Sequence, residues 1–183
     1  NEALGLGHAV AVTAHLVGDE PFAVLLADDL IHHKKGAVKQ MVEAFDYYKS
    51  SVIAVQQVDG PEISSYGVIS GKKQTDRVHL LDEIVEKPAF EDAPSNMGVT
   101  GRYVFTPQIF EHLAKLKPGA GGELQLTDAI QTLLKAEQVL AYEYEGIRYD
   151  CGSKMGLLKA NIELGIEHHE IGDELREYLR TEL

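Results

Sequence analysis

The feature that most constrains this chain is the continuous apolar run at residues 22–27, which stops abruptly at Asp28-Asp29. Apolar residues without alternation suit a strand covered on both faces, the kind found inside α/β sheets. Val38, Met41, Val42 and Phe45 follow at spacings of three and four, which predicts an amphipathic helix, and residues 51–58 form a second apolar run. A strand-helix-strand unit of this kind needs a crossover and therefore parallel strands.

Upstream, residues 8–17 alternate small and apolar side chains in the manner of a buried helix, closed by Gly18 and Pro21. Downstream, residues 66–86 read as short strands separated by a turn at 71–76, an antiparallel excursion that makes the sheet mixed. Pro88 and Pro94 mark 88–96 as loop, and strand character resumes over 99–105. Helices are expected at 107–116 and 124–136, and the last strands at 139–144 and 147–149. Asp150-Cys151-Gly152 then leads into a helix over 154–165. Leu175, Tyr178, Leu179 and Leu183 form a stripe that predicts a final helix packed on this domain or on a partner subunit. With no internal repeat, low-complexity tract or linker, residues 1–183 read as one domain.

Asp and Glu total 29 against 17 Lys and Arg, and the net charge of -12 opposes general affinity for nucleic acid or an anionic membrane surface. Any phosphate-bearing ligand must be held locally. The single cysteine, Cys151, excludes an internal disulfide and a Cys-rich zinc site, and fits the reducing cytoplasm. No apolar run approaches the ~20 residues of a membrane helix. Residues 1–7 lack the features of a signal peptide, and the chain begins at Asn1 rather than Met, as an incomplete chain would.

In open α/β sheets ligands collect outside the carboxyl ends of the strands. Asp28, Asp29 and Asp150 meet that criterion, but helix caps and turns use the same residue type, so position alone leaves both readings open.

A series of motifs decides between them. Gly5-Leu6-Gly7-His8-Ala9, Leu26-Ala27-Asp28-Asp29, Ser65-Tyr66-Gly67-Val68-Ile69, Glu86-Lys87-Pro88, Gly122-Glu123-Leu124-Gln125-Leu126-Thr127-Asp128 and Tyr149-Asp150-Cys151-Gly152-Ser153-Lys154 stand in order along the chain. Together they resemble the signatures of bacterial UTP-glucose-1-phosphate uridylyltransferases. The resemblance implies an α/β, Rossmann-like nucleotidyltransferase fold with a mixed central sheet, incomplete at the amino terminus. It also implies that the parent enzyme joins UTP to glucose 1-phosphate, giving UDP-glucose and pyrophosphate, with this chain alone inactive.

The reaction brings an anionic sugar phosphate against an anionic triphosphate, so charge must be neutralised. Magnesium does so with one or two carboxylates plus phosphate oxygens. The resemblance makes Asp28 and Asp150 that carboxylate pair, with Asp29 a local hydrogen-bond acceptor or a helix-start residue. It makes Glu86 an acceptor for sugar hydroxyls, Lys87 a point charge for the sugar phosphate and Gly67 a place where backbone approaches the sugar. Gly5 reads either as a backbone approach to uracil or as a helix-start glycine, Val99 as pocket wall or core, and Lys154 as a phosphate contact or a solvated lysine.

Other signals are declined. Gly119-Ala120-Gly121-Gly122 lacks a following Gly-Lys-Ser/Thr and is not a Walker loop. The His32-His33 and His168-His169 pairs lack zinc-site spacing and read as surface residues. The family's Gly-x-Gly-Thr-Arg loop, its Pro-x-Thr-Lys and its base-reading Gln are not in the chain. A thymidylyl or adenylyl relative, or a degenerate binding or assembly module, remain the competing readings. Apolar stripes and the last helix predict a homo-oligomer.

Overall fold

The computed structural model describes residues 4–182. Helices α1 (Leu6–Ala11) and α2 (Ala14–Val17) lead into β1 (Phe22–Leu25), β2 (Asp29–His32), α3 (Ala37–Tyr48) and β3 (Ser51–Gln57). The hairpin β4 (Gly67–Lys73) and β5 (Val78–Glu86) precedes β6 (Met97–Phe105), α4 (Ile109–Leu113) and α5 (Leu126–Leu133). Strands β7 (Val139–Glu143) and β8 (Ile147–Asp150), then α6 (Lys154–Glu167) and α7 (Gly172–Glu182), complete the chain.

Strand β3 lies inside the sheet because its residues are apolar on both sides. Ile53 and Val55 belong to a core shared with Val10 of α1, Ile109 and Leu113 of α4, and Leu126, Ile130 and Leu133 of α5. Val52 and Ala54, pointing the other way as the two-residue period requires, pack with Ala37, Met41 and Ala44 of α3. The result is three layers, helices on both faces of one sheet.

Sheet order is β1-β6-β3-β7-β5-β4, with β3 and β7 parallel and the other neighbours antiparallel. The sheet is therefore mixed, as expected. Strands β1 and β3 do run parallel, since each is antiparallel to β6, but β6 lies between them. The crossover rule held for direction and not for adjacency.

Four expectations need correction. The run at 22–27 is not covered on both faces: β1 is an edge strand among the described residues, paired with β6 alone, and Leu25 is 54% exposed. The helix expected over 8–17 is broken in two and mostly at the surface. Thr13 turns its hydroxyl back onto the Val10 carbonyl at 2.7 Å, and the backbone there tightens to an i→i+3 bond.

Gly71 is inside β4 rather than in a turn. It sits at a bulge against Leu80, whose carbonyl oxygen would be 2.4 Å from any Cβ placed there. Helix α7 forms, but only Leu175 and Leu179 of its stripe are partly covered while Tyr178 is exposed; Leu183 lies outside the described residues. Among the described residues no helix is long and apolar enough to cross a membrane.

Strands β2 and β8 stand apart from the main sheet as an antiparallel pair. The strand expected over 147–149 is β8, whereas β2 and its pairing with β8 had no counterpart in the sequence; the ribbon carries Asp29 and Asp150, with Asp28 in the turn just before it.

Candidate active site

A cleft of about 370 Å³ opens between the ribbon, the β4–β5 hairpin and the start of α5. Its walls include Gly67, Glu86, Lys87, Val99, Thr127, Arg148 and Asp150. An adjoining cleft of about 480 Å³ shares Ser65, Tyr66, Arg148 and Asp150 and runs on to Ser153 and Lys159 near the start of α6.

Glu86 ends β5 and Gly67 begins β4, and the two are cross-strand partners. Thr127, in the first turn of α5, donates its hydroxyl to Glu86 Oε2 at 3.0 Å. A Cβ at Gly67 would lie 3.0 Å from Thr127 Cγ2 and 3.4 Å from Glu86 Oε2. Glycine is thus needed here to leave one wall of the cleft open. Val99 is 3.8 Å from the same point and 8% exposed, so it is both core and cleft wall.

Lys87 follows with φ 45, one of two non-glycine residues with positive φ among those described. Its backbone N–H donates to the Tyr66 carbonyl at 3.0 Å, which fixes this left-handed turn against the hairpin. The ammonium stands 3.6 Å from Glu86 Oε1 with most of the side chain in solvent. In that position it can meet an incoming anion.

Asp28 lies in the turn between β1 and β2, and its carbonyl accepts from the Cys151 N–H at 2.7 Å. Asp29 pairs directly with Asp150 across the ribbon. These two ties bring the ends of distant segments together. A Cβ at Gly152 would sit 3.1 Å from Asp150 Oδ1 and 3.1 Å from Asp28 Oδ2, so the two carboxylates converge over that glycine.

Asp29 itself is buried and fully engaged. One carboxylate oxygen accepts from the Gly101 N–H at 2.7 Å and the other from Arg148 Nε. It is a hydrogen-bond acceptor, as expected, but it opens a strand rather than a helix. Arg148 Nη1 donates to the Tyr66 hydroxyl at 2.8 Å, and the guanidinium lies 5.2 Å from the Tyr66 ring centroid. Burial works against the Arg148 charge, but Asp29 and Tyr66 outweigh it and raise its pKa. Burial, then the charges of Glu86 and Asp29, push the Tyr103 phenol up, so this cleft residue stays neutral.

Gly5 and Lys154 stand further off. Gly5, at φ 95, begins α1, and a Cβ there would meet Glu123 Cβ at 2.8 Å and the Leu124 carbonyl at 2.9 Å. The close approach it permits within the chain is to the Glu123-Leu124 backbone. Lys154 opens α6 in an exposed position behind the Ser153 cap, whose hydroxyl accepts from the Gly156 N–H.

Tyr66 and Thr127 lie inside the motifs quoted above but were given no role there. Arg148 had only one readable signal, an arginine between Ile147 and Tyr149 in a strand ending in Asp150. Among the described residues no group of three or more His, Cys, Asp or Glu side chains lies together. His32 is at the surface beside Glu167, and His168 stacks on His169.

A mixed sheet between helical layers, with paired carboxylates beyond the strand ends and a polar cleft beside them, defines an α/β nucleotidyltransferase. The chain belongs to the nucleotidyl transferase family, whose profile matches residues 1–165. It is 47% identical over 179 residues to UTP-glucose-1-phosphate uridylyltransferase 2 of Staphylococcus saprophyticus, covering 98% of this chain and 62% of that protein. It is 44% identical over 174 residues to the UTP-glucose-1-phosphate uridylyltransferase of Bacillus subtilis, covering 95% of this chain and 60% of the relative. A solved UDP-glucose pyrophosphorylase complexed with UDP-glucose superposes with a TM-score of 0.88 at 45% identity, over 92% of this chain and 64% of that one. The chain spans about three-fifths of the length of the curated relatives it matches.

Proposed function

We propose that this chain supplies the sugar- and metal-binding part of an enzyme that forms UDP-glucose and pyrophosphate from UTP and glucose 1-phosphate. The observation that carries the reading is the convergence of Asp28 and Asp150 over Gly152, beside a wall built from Gly67, Glu86 and Thr127.

Two carboxylates facing one point are a hard-oxygen donor pair of the kind magnesium takes when phosphates complete its shell. Bound there, magnesium would offset the charge of the phosphates and align the in-line displacement. The protein's own part is positioning. Glu86, with Oε2 already held by Thr127, offers Oε1 to sugar hydroxyls, and Lys87 offers its ammonium to the sugar phosphate. Lys154, at the amino end of α6, adds a second cation for a phosphate. Gly5 belongs to the uracil side of the site and Val99 to the sugar side. No general base is required, because the attacking phosphate oxygen is already anionic near neutral pH.

Cytoplasmic residence and self-association belong to the same reading. The lone Cys151 fits the first, and exposed Met155, Leu157 and Leu158 on α6 offer apolar surface for the second.

The test is pyrophosphate release dependent on UTP and glucose 1-phosphate, measured on the open reading frame that contains this chain. Asp28→Ala and Asp150→Ala should each lower kcat by on the order of 100-fold. Undiminished activity in both removes the metal assignment, and a preference for dTTP or ATP moves the enzyme to the thymidylyl or adenylyl relatives. Binding of UDP-glucose without any turnover would favour the non-catalytic module.

A further inference from the structure

The buried ion pair between Asp29 and Arg148 takes no part in the reaction as set out above, yet it occupies the centre of the site. Its two side chains are 8% and 12% exposed. Charges this deep are kept at a desolvation cost, and a pair retained beside a site invites a role in geometry.

The connections are specific. Asp29 follows Asp28 in the chain and faces Asp150 across the ribbon. Arg148 is two residues before Asp150 on the same face of β8, and bonds Asp29 through Nε. Its Nη1 reaches the hydroxyl of Tyr66, the residue before Gly67 in the sugar wall. The second oxygen of Asp29 is fixed by the Gly101 N–H of β6, and Arg102 of the same strand donates to the Asp29 and Leu26 carbonyls. The pair therefore touches the segments that carry Asp28, Asp150, Gly67 and Val99, while Glu86 and Lys87 at the end of β5, Gly5 before α1 and Lys154 of α6 lie outside its contacts.

We infer that Asp29 and Arg148 are positioning residues, which set the separation of the Asp28 and Asp150 carboxylates and lock it to the sugar wall through Tyr66. This rests on the functional reading above. The planar guanidinium reaches Asp29 through Nε and Tyr66 through Nη1, two nitrogens held in one plane, whereas an ammonium offers a single freely rotating nitrogen. Arg148→Lys keeps the charge and loses the fork, and Asp29→Asn keeps the shape and loses the counter-charge.

The experiment measures the Kd for UDP-glucose by calorimetry, with magnesium and with a chelator, on the open reading frame that contains this chain. In the unaltered protein magnesium should tighten binding. In Arg148→Lys and in Asp29→Asn that gain should shrink about tenfold, and the double variant should lose no more than the worse single one, because both act on one element. Tyr66→Phe, which deletes only the hydroxyl that accepts from Arg148 Nη1, should weaken UDP-glucose about threefold with the magnesium gain intact. A ring hydroxyl whose removal changes nothing would overturn the link to the sugar wall.

The same magnesium gain in both ion-pair variants as in the unaltered protein overturns the inference, even if their thermal midpoints fall, since a merely structural pair would lower stability alone. Loss confined to Arg148→Lys, with Asp29→Asn silent, also overturns it, because that marks direct substrate contact. If the unaltered protein shows no magnesium-dependent binding of UDP-glucose, the functional reading fails first and the inference with it.

Discussion

Thr127 donates its hydroxyl to Glu86 Oε2 at 3.0 Å, joining the first turn of α5 to the end of β5 beneath the sugar wall. The bond fixes one carboxylate oxygen and leaves the other to face the cleft. Thr127→Val keeps the branched shape and removes the donor. The expected cost is about 1 kcal/mol in stability by denaturant unfolding, as for a typical hydrogen bond. The KM for glucose 1-phosphate should rise by roughly fivefold, with kcat less affected, because the lost order is in binding.

Gly152→Ala tests the carboxylate convergence. The added methyl would lie 3.1 Å from both Asp150 Oδ1 and Asp28 Oδ2, which is tighter than most carbon contacts allow. Gly152 has no positive φ, so the backbone accepts alanine and the effect falls on the carboxylates. The magnesium concentration for half-maximal activity should rise about tenfold while the thermal midpoint changes little. An unchanged magnesium requirement would show that the two side chains do not share a ligand.

Lys87 separates backbone strain from charge. At φ 45 a lysine is held in a conformation that costs of order 1 kcal/mol and that glycine adopts freely. Lys87→Ala and Lys87→Gly both remove the ammonium, and both should raise the KM for glucose 1-phosphate to a similar extent. The glycine variant should unfold at higher denaturant than the alanine variant, by about 1 kcal/mol. Equal stability would mean that the turn is not strained.

Local pattern made Asp28, Asp29 and Asp150 legible as candidates, and the family resemblance supplied the choice of Asp28 with Asp150 and the roles of Glu86, Lys87 and Gly67. An apolar run cut off by Asp28-Asp29, and a second strand ending at Asp150, pointed to carboxylates beyond strand ends, and the structure brings Asp28 and Asp150 together. Glu86, Lys87 and Gly67 likewise lie on one wall. What could not be read was pairing between distant segments. β2 is four residues long, too short to show a period, and its partner β8 lies far along the chain. Without that ribbon Arg148 has no visible link to Asp29, and Tyr66 none to either. The insertion of β6 between β1 and β3 is equally non-local, and among the described residues β1 lies at the edge of the sheet with Leu25 exposed.

Alkaline pH provides a test that does not involve turnover. Burial pushes the Tyr144 phenol up to about 12, and its hydroxyl donates to Gln56 Oε1 at 2.8 Å. The hydrogen bond to Glu163, 2.6 Å long, pushes Tyr149 up to about 12 as well. In the unfolded chain both phenols ionise near ~10. Below that pH both states hold the protons and the stabilisation is fully present. Between pH 10 and 12 only the unfolded chain releases them, and it releases the proton of the buried Tyr103 as well, so stability must fall as pH rises through that window. Thermal midpoints recorded from pH 8 to 12 should be flat to about 10 and then decline. Tyr149→Phe should make the decline shallower at little cost near neutrality, because Glu163 is exposed and stays solvated without its partner. A decline as steep in that variant as in the unaltered protein would mean that Tyr149 ionises alike in both states.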